Sequence, residues 1–159
     1  MKDTIIISIK PKYIEKILSG EKKYEFRKSF PDGVEAMLIY ATNPIKRIVG
    51  IAFVEKVMRG RKKEIWDETR VYGGIKEKEY VDYFGDCDEV CAIKINSVWK
   101  ISEPIELGFR PPQSYMFQTK DKQVNIENNT IMECWHSETF DAEKLGGWKF
   151  LSPELGVKI

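Results

Sequence analysis

The run Ile7-Ser8-Ile9-Lys10-Pro11-Lys12-Tyr13-Ile14-Glu15-Lys16-Ile17-Leu18-Ser19-Gly20-Glu21-Lys22-Lys23-Tyr24-Glu25-Phe26-Arg27 decides the fold. With Thr4, Ile5 and Ile6 before it, the opening is apolar and β-branched, so residues 4–10 read as a buried strand. Pro11 then suits the first turn of a helix, where its missing N–H costs little. Ile14, Ile17 and Leu18 recur at helical spacing and Gly20 supplies the stop, which predicts a helix over 11–19. Residues 23–28 alternate, with Tyr24 and Phe26 on one face and Lys23, Glu25 and Arg27 on the other.

Outward from this run the chain stays rich in strands. Residues 35–41 and 46–58 read as strands joined by a turn at Asn43-Pro44, and Gly50 marks a bend or bulge of the sort that closes barrels. Short helices are predicted over 62–70 and 76–84, separated by Gly73-Gly74; Tyr80, Val81 and Phe84 give the second its apolar face. Residues 89–99 return to strand, and 101–107 are expected to pair beside them. Five or six strands with short helices make an α+β domain, mainly β, a mixed β-barrel with short flanking helices. From about residue 120 the pattern weakens. Residues 1–119 are read as the domain and 120–159 as a C-terminal extension of short strands and loops packed on the barrel.

The composition narrows the function classes. Hydrophobic residues make up 42% and charged residues 32%, enough apolar material for a core and no sign of wholesale disorder. No apolar run is long enough to span a bilayer, and the N-terminus carries no secretory h-region, so no membrane partner is expected. Three cysteines, an odd number in a chain too long to need staples, point to a reducing cytoplasm. The net charge of +1 hides an asymmetry: residues 1–63 carry +8 and residues 64–159 carry −7. A basic surface built by the first half would meet phosphates, although lysine-rich faces are commonly just solvated.

The opening run resembles the start of an ASCH domain: a strand, a helix ending in a hydrophobic-Leu-small-Gly turn, a lysine, and a strand carrying Glu-x-Arg. Val49-Gly50 through Val57 resembles the family's next block. Glu103-Pro104-Ile105 with Pro112-Gln113-Ser114-Tyr115 resembles its closing segment, so the likeness runs through residues 4–118 in the expected order. The resemblance implies a PUA-like barrel with a cleft beside the first helix and the Glu-x-Arg strand. It also implies association with RNA or modified nucleotides. One branch of the family hydrolyses acetylcytidine with a lysine after the glycine turn and a threonine three residues later. Lys22 matches the lysine, but Glu25 stands at the threonine position and cannot act as a hydroxyl nucleophile.

The candidate site follows. Glu25 and Arg27, two apart on a strand, leave the same face about 7 Å apart at the backbone, with Lys22 at the turn before them. Arg27 can grip phosphate bidentately or stack on a base, and Glu25 can accept from an exocyclic amino group. As a catalytic pair, Glu25 would be a general base and Lys22 an electrostatic stabiliser. The plainer alternative is a structural ion pair on a barrel surface. Lys10 shares a strand face with Ser8 and is directed to the same cleft, Tyr115 is placed to stack a base, and Arg59 and Arg61 belong to a basic loop around Gly60 that would contact a phosphate backbone. Cys87, Cys91, Cys134 and His136 are a poor zinc set, since four strand residues separate the first two by about 13 Å. No metal and no cofactor are expected. Three functions are therefore carried forward: a module binding RNA or a modified nucleotide, a hydrolase acting on modified nucleosides or RNA, and a protein-interaction domain.

Overall fold

The computed structural model describes residues 4–126, 128–141 and 143. Its strands are β1 (Thr4–Ile9), β2 (Tyr24–Arg27), β3 (Ala36–Ala41), β4 (Arg47–Arg61), β5 (Glu89–Ile105), β6 (Tyr115–Phe117) and β7 (Ile131–His136); its helices are α1 (Pro11–Ser19), α2 (Lys62–Thr69) and α3 (Glu77–Phe84). They form one curled sheet in the order β2-β5-β4-β3-β1-β6, with β7 added along β5. β1 and β3 run parallel and the other pairings are antiparallel. The architecture is the mainly β, α+β half-barrel with short helices that the sequence leads one to expect.

Curvature comes from β4 and β5. Their register slips between Ile48 and Gly50 and twice more between Phe53 and Lys56. Each slip adds twist and bends the sheet. Gly50 is required at the first slip: a Cβ there would lie 2.7 Å from the Trp99 carbonyl oxygen. β5 is long enough to serve two neighbours along one edge, pairing β2 through Cys91–Lys94 and β7 through Ser97–Ile101. Residues 101–105 continue this strand instead of forming a separate one, because no turn residue interrupts Ser97 to Ser102.

Two apolar clusters cover the two faces of the curled sheet, since alternate strand residues point to opposite sides. The first packs Ile5, Ile7 and Ile9 with Ile14 and Ile17 of α1 and Ile93 and Ile95 of β5; the second packs Ile6, Leu38 and Ile51 with Trp99 and Ile131. A third holds α2 and α3 against the outer strands, where Tyr80 and Phe84 meet Phe26 edge-on at 5.1 and 6.4 Å. The Pro11 start and Gly20 stop of α1 are as expected; Gly20 is left-handed, at φ 84°, and its N–H bonds to the Ile17 carbonyl.

Part of the expected C-terminal extension, residues 120–159, is described. β7 pairs β5 there, and the Trp135 indole N–H donates to the Ile17 carbonyl at 2.7 Å. Residues 144–159 of that extension lie outside the described residues. Among the described residues no helix is long and apolar enough to cross a membrane.

Candidate functional site

The Gly20 turn carries the chain from α1 into β2 and folds Lys22 inward: the Lys22 amide N–H donates to the Lys16 carbonyl at 2.9 Å. The Lys22 side chain is 1% exposed. Its Nζ donates to the Gly73 carbonyl at 2.6 Å, lies 3.8 Å from Glu25 Oε1, and stands 4.7 Å from the Phe26 ring centroid. Gly74 presses on the same side chain. Its φ is +67°, and a Cβ there would lie 2.5 Å from the Lys22 Cβ. Burial pushes the ammonium down from its ordinary 10.5 to about 8, against the opposing pull of Glu25.

Glu25 is also buried and bridges two cations. Its second oxygen accepts from Arg27 Nη2 at 2.9 Å. The same Nη2 donates to the Ser8 carbonyl at 2.9 Å, and Nη1 donates to Ser114 Oγ at 3.0 Å. Arg27 therefore ties β2 to β1 and to the closing segment. That segment is held independently: Ser8 Oγ donates to the Pro112 carbonyl at 2.6 Å and the Ser8 N–H to the Ser114 carbonyl at 2.9 Å. The Arg27 side chain is 11% exposed, so it is not the exposed surface arginine that a simple barrel-surface ion pair implies.

These groups open onto one cavity of about 850 Å³. Its walls include Lys10, Lys12 and Tyr13 from α1 and its approach, Glu79 and Tyr83 from α3, and Gln113 and Ser114 from the closing segment. The size suits a nucleotide or a short stretch of oligonucleotide. Lys10, Lys22, Glu25 and Arg27 are thus brought together. Arg59, Arg61 and Tyr115 are not among the cavity's lining residues. Arg59 and Arg61 lie in β4 instead of a loop, since the ladder with β5 continues through Gly60 opposite Val90. Arg59 Nη2 donates to the Phe30 carbonyl at 2.9 Å and pairs with Asp32 at 3.0 Å, and Arg61 is exposed. Tyr115 faces the apolar core, with its ring 5.5 Å from that of Phe30.

Sequence reasoning left Tyr13, Gly73, Glu79 and Tyr83 out of the site. Only the Gly73-Gly74 pair carried a signal, and it reads as a helix break until the fold lays it over Lys22. Cys91 pairs with Arg27 on β5, whereas His136 pairs with Ser97 six positions further along.

The ASCH domain family profile matches residues 7–103. An ASCH domain-containing ribonuclease of Zymomonas mobilis is 31% identical over 135 residues, covering 79% of this chain and 90% of that protein. The crystal structure of ASCH from Zymomonas mobilis superposes with a TM-score of 0.70 at 29% identity, over 76% of this chain and 91% of that one. A large ribosomal subunit protein uL22 of Ureaplasma parvum is 32% identical over 108 residues, which is 67% of this chain but only 35% of that protein.

Proposed function

The chain belongs to the ASCH domain family, and from that premise we propose that it binds RNA in the cleft between α1 and β2 and cleaves it there. The observation that carries the reading is the convergence of Lys22, Glu25 and Arg27 on one cavity whose approach is lined by Lys10 and Lys12. The likeness to a ribonuclease along most of both chains supports catalysis over binding alone. Phosphates enter past the outer lysines, and the cluster in the floor carries two cations against one anion, so it favours an anionic guest.

In the proposed reaction Glu25 takes the proton from the attacking oxygen, a ribose hydroxyl or water. Lys22 and Arg27 face the negative charge that grows on the phosphoryl oxygens. A lysine titrating near 8 is also suited to return a proton to the leaving oxygen. A second reading, binding of a single modified nucleotide, is favoured by the cavity volume alone.

The test is incubation of the protein with single-stranded RNA, with the products resolved by gel and mass spectrometry. Cleavage should be present in the wild type, fall at least a hundredfold in Glu25→Gln and Lys22→Ala, about the contribution of a positioned acid or base, and binding should weaken with salt. Cleavage that survives both substitutions removes these residues from the mechanism.

A further inference from the structure

Two contacts to one carboxylate oxygen join α1 to α3 across the mouth of the cleft. Tyr13 Oη donates to Glu79 Oε2 at 2.5 Å, and Lys12 Nζ reaches the same oxygen at 3.4 Å. The donors stand on α1 and the carboxylate on α3, and all three side chains line the cavity. A hydroxyl that donates to an ionised carboxylate makes a charge-assisted bond. The Tyr13 hydrogen bond holds the Glu79 carboxyl below its ordinary range, so Glu79 is an anion at neutral pH. Burial and then Glu79 raise Tyr13, so its hydroxyl keeps the proton it donates.

A cation and a hydroxyl that converge on one carboxylate oxygen present the same donors to a phosphate oxygen. Glu79 differs in this from its neighbour Asp82 on α3, whose carboxylate is already paired with Lys78 along the helix at 3.0 Å. Both acids line the cavity, but the contacts to α1 are made by Glu79. The pair is also accessible: Lys12 is 62% exposed and Glu79 38%.

We propose that Lys12 and Tyr13 form a phosphodiester subsite at the cleft mouth, and that Glu79 occupies it as an internal competitor until RNA displaces it. The inference rests on the RNA-binding reading and deepens it. Entry of an RNA phosphate exchanges one anion for another on the same donors, and α3 is released from α1 at that point.

The experiment compares the affinity of a short fluorescent single-stranded RNA for the wild type, Glu79→Ala and Asp82→Ala at one ionic strength, with melting curves to verify folding. Glu79→Ala should bind about three- to tenfold tighter, the worth of one net hydrogen bond that no longer has to be broken. Asp82→Ala makes the same change in charge and should gain less. Adding Lys12→Ala and Tyr13→Phe to Glu79→Ala should abolish the gain. A gain no larger than that of Asp82→Ala overturns the proposal, since general electrostatics then explains it. Weaker binding by Glu79→Ala also overturns it and makes Glu79 a brace that shapes the cleft. In both cases wild-type binding leaves the RNA reading standing; absence of RNA binding by every protein overturns both.

Discussion

Replacing Lys22 with methionine should stabilise the protein and remove its activity together. The side chain is 1% exposed, and burial lowers its pKa from 10.5 to about 8. That difference is worth about 3 kcal/mol against the folded state at pH values below about 8. Methionine fills much of the same volume without a charge, but it leaves the Gly73 carbonyl without the Lys22 donor, at about 1 kcal/mol. The net expectation at pH 7 is a gain of about 1–2 kcal/mol. The pH dependence is the sharper arm. Because the folded pKa is depressed, the stability that Lys22 withholds is restored as pH rises from about 8 toward 10.5, the window in which the unfolded chain binds the extra proton. Between pH 7 and about 9.5 the wild type should therefore recover about 2 kcal/mol relative to Lys22→Met. Urea unfolding of both proteins at the two pH values measures this, and taking the difference cancels the other titrating groups. A difference that stays flat across the window would refute a buried, charged Lys22. A methionine variant that keeps RNA cleavage would refute its role.

The remaining expectations concern the groups that hold Lys22 and Glu25. Arg27→Lys should lower stability by about 1–3 kcal/mol, because an ammonium cannot reach the Ser8 carbonyl, Glu25 and Ser114 at once. RNA affinity should fall with it, and unchanged melting temperature and affinity together would show that the guanidinium fork is dispensable. Gly74→Ala should cost about 1–3 kcal/mol for a left-handed residue alone. Its Cβ would also displace the Lys22 stem, so cleavage should fall in the same variant; wild-type melting and turnover would count against the clamp.

What could be read before the fold was known divides along physical lines. Strand and helix periods, the Pro11 start and the Gly20 stop are local, and the elements from Thr4 to Arg27 lie where those signals put them. The Lys22, Glu25 and Arg27 constellation was legible because a turn and a two-residue strand period bring those side chains together with no help from distant sequence. Arg59, Arg61 and Tyr115 fall outside the cavity lining for a common reason. Charge and aromaticity do not reveal which face a side chain takes, and that depends on where the β4–β5 ladder ends and what Tyr115 packs on. The Gly73 clamp, the Glu79 bond to Tyr13 and the Ser114 bond to Arg27 join residues 51, 66 and 87 positions apart, beyond any local rule.

The same contacts explain why the site could not sit on a simpler surface. A buried ammonium costs stability, and here it is held by a carboxylate and a ring face from β2 and by a carbonyl from the Gly73-Gly74 turn. Glu25 cannot serve Lys22 alone, since its other oxygen belongs to Arg27, and Arg27 in turn holds the closing segment. The α3 layer takes part through Phe26, whose ring packs on Tyr80 and also faces the Lys22 ammonium. Core packing thus positions the charged group: a change that loosens Phe26 or the Gly73-Gly74 turn alters the environment that lowers the Lys22 pKa.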